Sequence, residues 1–454
     1  MAPEPPAIFL HIGAMKTGTS YLQRLMVDNR AALLEQGVLV AGEGGWGEQV
    51  LAVREVLGMR RDAEIRERTD GAWDRLSKHM LTYEGRAALV SMEFLSYASP
   101  KVAERVVASL QPAEVHVILT VRDAARVIPA QWQETTQNRG TTSWPRYVAE
   151  ILAGPDRSSA SWRSFQRALD IPRMLAAWGQ SVPAERLHVV LVPAGGAEPT
   201  LLWQRFASVL GVDPASCAPP TGQRNPSLGY ASADLMRRVN RRLRRFPQYA
   251  YMKTMKAYLS KQVLATRTGE PKVTMSRALA EFALEWNRSM SEAIAAAGAN
   301  VVGDLSDLDV TPSTEEELAP PPTAALLGAA ADAANALQRL IRGRSRKVEA
   351  ELRMASDEPA TAANPAAAPV VPLARGPRKR FTATSWDHRD DPVEAAVLEI
   401  ANLAREAIGL RHKRREIKGL PVGRGRDLRK RSLPKRIARR AKREVVDRVR
   451  RWRS

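Results

Sequence analysis

Hydrophobic positions along the chain follow two rhythms. Short apolar runs at 8–12, 37–40, 87–91, 115–121 and 187–192 are bounded by small or polar residues, and each reads as a buried strand. Between them apolar residues recur at helical spacing, beginning with Leu22, Leu25, Met26 and Leu33. Helical patterning continues through 43–86 with loops, 101–110, and a stretch just beyond Arg122 and Asp123 that runs through Trp132 to Asn138. It also covers most of 141–178, with Trp144, Trp162, Phe165 and Trp178 as core anchors, and then 201–210, 229–262 and 274–297. Strands that are apolar on both faces and alternate with helices predict an α/β fold with a parallel sheet covered by helices. Ligands of such sheets sit beyond the carboxyl ends of the strands. Lys16, Glu93 and Arg122 each follow a different strand closely, so one sheet edge is expected to gather all three.

The stretch after the first strand carries the clearest chemistry. Residues 13–20, Gly-Ala-Met-Lys-Thr-Gly-Thr-Ser, are small, polar and flexible, and a helix follows from Ser20. Strand, glycine-bearing turn and helix start together make an anion cradle, because unpaired N–H groups at a helix N-terminus point at the ligand and the helix dipole adds to their pull. A nucleoside-triphosphate loop reads G-x-x-x-x-G-K-[ST], with the lysine after the second glycine. Gly13 and Gly18 keep that glycine spacing, but Thr19 stands in the lysine position and the lysine lies inside the loop, at Lys16.

That displaced lysine, in the string Lys16-Thr17-Gly18-Thr19-Ser20, resembles the 5′-phosphosulfate loop of sulfotransferases that use 3′-phosphoadenosine 5′-phosphosulfate. The similarity is sharpest over 8–23 and does not extend to the C-terminal third. It implies a P-loop-like three-layer domain and 3′-phosphoadenosine 5′-phosphosulfate as co-substrate, with no metal. It also implies transfer of a sulfuryl group to a hydroxyl, or secondarily an amine, of a carbohydrate, glycolipid or small metabolite. Lys16 is expected to neutralise the leaving bridging oxygen, while Thr17, Gly18, Thr19 and Ser20 hold the 5′ phosphate through N–H and hydroxyl groups.

Sulfotransferases grip the 3′ phosphate with an arginine just after a strand and a serine about two helical turns later. Arg122 matches the arginine, with a salt bridge to Asp123 as its structural alternative. Ala130 stands at the serine position, with Gln131 and Gln133 close by as substitute donors. Arg224, Asn225 and Ser227 occupy a loop that could serve the same phosphate. For the base that takes the acceptor's proton, Glu93 is the best-placed carboxylate; a hydrogen bond to Lys16 or an ordinary surface position are its rival roles. His11 ends the first strand and is a second candidate base, although a core-strand histidine more often donates to a backbone carbonyl. His79 is a weaker one, and His116 and His188 lie inside strands and read as structural.

Composition changes the picture mainly at the C-terminus. The net charge is +20, yet residues 411–454 alone hold 20 Lys+Arg against 4 Asp+Glu, so the basic balance describes a tail more than the folded part. Ala438, Ala441, Val445, Val449 and Trp452 recur on one helical face of that tail, which gives two expectations of equal weight: contact with an anionic membrane surface, or a solvated arginine run. No aromatic-interleaved platform for nucleic acid is visible. The lone Cys217 excludes an internal disulfide framework, no signal peptide is evident, and no apolar stretch is long enough to span a bilayer. These features predict a soluble, cytoplasmic protein, peripheral at the inner membrane face if the tail binds lipid. Residues 1–312 are expected to form the α/β domain and 313–354 a linker and packing helix. An Ala/Pro-rich linker at 355–390 is expected to be disordered, and 391–454 to form a helical and basic tail. Two other functions compete: a P-loop nucleotide-dependent kinase, and a non-catalytic basic adaptor for membranes or nucleic acid.

Overall fold

A computed structural model of the chain describes residues 5–59, 67–156, 158–220, 227–244, 246–310, 313–357 and 380–418. Its centre is a parallel sheet of β1 (Ala7–Gly13), β2 (Val38–Val40), β3 (Ala87–Ser91), β4 (Val115–Val121), β5 (Leu187–Leu191) and β6 (Asn300–Val302), in the order β2-β3-β1-β4-β5-β6. The five apolar runs all became strands because each is covered on both sides. Ile8, Leu10 and Ile12 join Val90, Val117, Leu119 and Val189 in one hydrophobic layer. Phe9, Leu89, Ile118 and Val190 point to the other, against Leu22, Leu25 and Met26 of the helix Thr19–Asp28 and Phe206 of the helix Leu201–Leu210. β6 was not legible as a strand: it is three residues long, lies at the sheet edge and leaves Val301 exposed, so the two-sided apolar signature is missing.

Strand order fixes where a ligand can sit. The chain lays β2 and β3 to one side of β1 and then crosses to place β4 on the other, so β1 lies between β3 and β4. The crevice outside its carboxyl end is the topological switch point. On the β4 side the pairing register slips between His11 and Gly13, a bulge that turns the chain out of the sheet as the 13–20 loop begins.

The stretch expected as one helix over 229–262 is broken. The helix Tyr230–Arg242 ends before Pro247, which has no N–H to continue it, and a new segment starts at Gln248. From Met252 to Val263 that segment winds in wide π-helical turns, which put residues five apart, such as Lys256 and Lys261, on one side. Farther on, the helices Thr323–Asp357 and Pro392–Ile417 pack on each other and on Tyr230–Arg242. Leu326, Leu337, Val397 and Ile400 belong to the same apolar cluster as the sheet. Polar ties reinforce the contact: Arg414 donates to Glu351 at 2.7 Å, and the Tyr258 hydroxyl to the Ala336 carbonyl at 3.0 Å. Most of the Ala/Pro-rich stretch and the basic tail beyond Lys418 lie outside the described residues. Among the described residues no helix is long and apolar enough to cross a membrane.

Candidate functional site

The 13–20 loop is built on three left-handed residues. Gly13 has φ +100° and Gly18 φ +84°, and Lys16 adopts φ +64° despite its side chain. A non-glycine residue held there costs of order 1 kcal/mol and typically marks a functional turn. Both glycines are also needed for space: a Cβ on Gly13 would meet Glu93 Cβ at 3.0 Å, and one on Gly18 would meet Leu202 Cδ2 at 2.5 Å. Gly18 precedes the helix Thr19–Asp28, whose first turn carries no acidic residue and no side-chain cap. The N–H groups of Gly18, Thr19 and Ser20 find no acceptor among the described residues. They remain free for an anion.

Thr17 departs from its expected role. Its side chain is fully buried, the hydroxyl donates to the Ala14 carbonyl at 2.7 Å, and it lies 2.6 Å from Thr120 Oγ1. The hydroxyl therefore locks the loop onto β4, and any contact of Thr17 with a phosphate falls to its backbone. The Ala14 N–H, which donates to the Thr120 carbonyl at 2.7 Å, adds a second clamp.

Lys16 and Arg122 meet at the loop. The Arg122 Nη1 donates to the Lys16 carbonyl at 3.3 Å, while its buried Nε has no partner. Burial, with help from Arg126 and against Asp123, pulls this guanidinium below its ordinary value. The expected alternative of an Arg122–Asp123 bridge does not form. Asp123 instead accepts the Arg126 N–H at 2.9 Å, capping the helix Ala124–Gln137, and pairs with the Arg126 guanidinium.

The partner of Lys16 is a residue that sequence reasoning missed. Its ammonium lies 2.7 Å from Glu134 Oε2, and the Lys256 ammonium lies 2.6 Å from Glu134 Oε1 and 2.9 Å from Asn138 Oδ1. Burial alone would raise the Glu134 pKa, but the two lysines outweigh it and hold the carboxyl well below its usual range. Desolvation, the Lys256 charge and, more weakly, Lys16 lower the Lys261 ammonium, and Glu134 opposes them. Two bridged ammonium groups and one carboxylate leave a net positive charge beside the free loop N–H groups.

Glu93 stands beside the loop, its backbone and Cβ against Gly13. It is not the hydrogen-bonding partner of Lys16. Its Oε2 accepts from Gln23 Nε2 at 2.9 Å, and the same amide nitrogen reaches the Ser91 carbonyl at 3.1 Å. Four residues on, Tyr97 is pushed up to about 12, chiefly by burial; Glu93 and Glu134 both add to the rise, and Arg167 and Arg173 oppose it. Tyr97 stacks on Phe94, with Arg167 over its ring.

Other candidates are committed elsewhere. Gln131 donates to Ser164 Oγ at 2.9 Å and Gln133 to the Leu228 carbonyl at 3.0 Å, so neither amide faces the loop as a substitute for the missing serine. Arg224 and Asn225 lie outside the described residues, and Ser227 is exposed. His79 sits 3.9 Å from the exposed Glu43. His116 and His188 bond each other at 3.0 Å, His116 stacks on Phe9, and His188 also meets Asn300 at 3.0 Å.

His11 is no base. It is fully buried, 2.7 Å from Ser91 Oγ and 3.3 Å from Thr120 Oγ1, two side chains in place of the expected backbone carbonyl. Burial lowers its pKa to about 3. An unfolded histidine titrates near 6.5, so its neutral form stabilises the fold fully above that pH. That contribution fades as pH falls towards 3, at about 1.4 kcal/mol per pH unit. Urea unfolding at pH 7 and pH 5 checks this: the His11→Gln variant is expected to lose less stability across the interval than the parent chain.

The three strand tips therefore converge, as the order of residues along the chain predicts. Glu134 and Lys256 are additions from the three-dimensional structure. Compared with protein-family models, curated proteins and solved structures, the chain matches none.

Proposed function

We propose that the chain transfers a sulfuryl group from 3′-phosphoadenosine 5′-phosphosulfate to an acceptor hydroxyl. The observation that carries the reading is the shared edge beyond β1: Arg122 reaches the Lys16 carbonyl, Glu93 packs on Gly13 and the loop N–H groups are free, with the Lys16 ammonium resting on Glu134. In this chemistry the acceptor oxygen bonds to sulfur as the bond from sulfur to the bridging oxygen breaks. The acceptor proton passes to Glu93, and adenosine 3′,5′-bisphosphate leaves. Negative charge grows on the bridging oxygen, where an ammonium group and preorganised N–H donors act most strongly. Lys16, released from Glu134, supplies the ammonium, Gly18, Thr19 and Ser20 the N–H groups, and Arg122 its guanidinium for the second phosphate.

A kinase would need a carboxylate for magnesium near the loop. Asp123, which follows β4, is engaged by Arg126 and caps its own helix, and Glu134 is engaged by two lysines, which among the described residues leaves Glu93, bonded only to the Gln23 amide, as the one carboxylate beside the loop open to that role. The test is binding and transfer together. Adenosine 3′,5′-bisphosphate is expected to bind in the presence of a chelator, and labelled sulfate to pass to an acceptor in a crude extract under the same conditions. Absence of sulfate transfer together with transfer of labelled phosphate from ATP that a chelator abolishes would favour the kinase. Failure of the bisphosphate to bind would favour a non-catalytic adaptor.

A further inference from the structure

Away from the loop, a polar cleft of about 1040 Å³ opens between the end of the π-helical segment and the helix Thr323–Asp357. Arg267, Arg339, Arg342, Arg346 and Arg380 line it, with Asp332 as its one carboxylate among the described residues. Asp332 is taken by Arg267, which also donates to the Gly328 carbonyl. Arg339, Arg342, Arg346 and Arg380 have no carboxylate partner among the described residues. Positions 339, 342 and 346 are three and four apart, so they share one helix face and spread their guanidinium groups over roughly 10 Å. An arginine stripe on a convex helix is ordinarily a solvated face. Here it forms the wall of a concavity closed by two further chain segments, around Gln262–Thr268 and at Arg380. Uncompensated like charges gathered in one cleft repel each other, and an anionic occupant relieves that repulsion.

We propose that this cleft binds an anionic polysaccharide chain through its carboxylate or sulfate groups. Guanidinium groups pair such groups bidentately, and the Gln262 and Gln338 amides match sugar hydroxyls. Single-stranded nucleic acid fits less well: its binding sites stack bases on aromatic rings, whereas among the described residues no aromatic side chain lines the cleft and Val263 is the one apolar one. The π-helical segment links the two places in the chain: Lys256 bridges to Glu134, and Gln262 and Val263 stand in the cleft wall six and seven positions on. On the transfer proposed above, a chain held in this cleft is the acceptor.

Arginine-selective labelling of the full chain with phenylglyoxal, read by mass spectrometry, tests the cleft directly. Dextran sulfate or oligogalacturonate is expected to protect Arg339, Arg342 and Arg346, while neutral dextran and adenosine 3′,5′-bisphosphate leave them reactive. The triple variant Arg339→Gln, Arg342→Gln, Arg346→Gln is expected to weaken dextran sulfate binding by about tenfold or more and to leave bisphosphate binding unchanged. The proposal falls if neither anionic saccharide protects these arginines. It falls equally if protection is confined to residues beyond 418, or if oligodeoxythymidylate protects the three more strongly than dextran sulfate does. Protection without bisphosphate binding would keep the cleft and remove the transfer reading.

Discussion

Replacing Lys16 by alanine is expected to cut turnover by roughly 10²–10³-fold while adenosine 3′,5′-bisphosphate still binds. That loss is the usual one for removing a single donor aimed at developing charge. The split between turnover and binding follows from geometry. Arg122 contacts the Lys16 carbonyl and not its side chain, and the Gly18, Thr19 and Ser20 N–H groups are backbone, so all of them survive the substitution. Alanine at φ +64° carries the same backbone strain as lysine, so the loop conformation is preserved. Glu134 keeps Lys256 and remains a paired carboxylate, which avoids stranding a buried charge. Turnover with saturating donor and calorimetric binding of the bisphosphate separate the effects. Turnover near that of the parent chain would remove Lys16 from the chemistry, and an equal fall in binding would make it a binding residue only.

The Lys16 partner shows how far the sequence carries this site. β1, β3 and β4 were legible because strands covered on both faces need unbroken apolar runs, and the residues just past such runs must lie at one edge of a parallel sheet. Lys16, Glu93 and Arg122 were placed by that rule alone. Glu134 was not, since nothing local distinguishes it from the other carboxylates on helix surfaces. Its significance comes from Lys256, which is 122 positions away along the chain and reaches it from a π-helical segment that a 3.6-residue pattern does not anticipate. The same limit misassigned Thr17, Gln131 and Gln133. Their residue types fit phosphate donors, but burial turns each towards a protein acceptor. Pro247 did carry a local signal, and it marks the break that frees the Lys256 segment to turn towards the loop.

Glu93→Gln is expected to abolish turnover and spare nucleotide binding. The glutamine keeps the Cβ that packs against Gly13, and its Oε1 still accepts from Gln23, so the loop is undisturbed. Only the capacity to take a proton is lost, and general-base removal typically costs 10²–10⁴-fold. The nearby rival, Glu134, is the poorer base. Its pKa is held well below the ordinary range by two ammonium groups, so it has little tendency to accept a proton near neutrality. Glu93 hydrogen-bonds to a neutral amide instead. Glu134→Gln therefore serves as the matched comparison. It is expected to leave Lys16 and Lys256 without their shared carboxylate, lowering turnover less than Glu93→Gln does and sparing bisphosphate binding, which rests on Arg122 and the loop N–H groups. If Glu93→Gln instead lost the bisphosphate, Glu93 would be an organiser of the loop through Gln23 and Gly13. If Glu134→Gln alone lost turnover with donor binding intact, the base assignment would pass to Glu134.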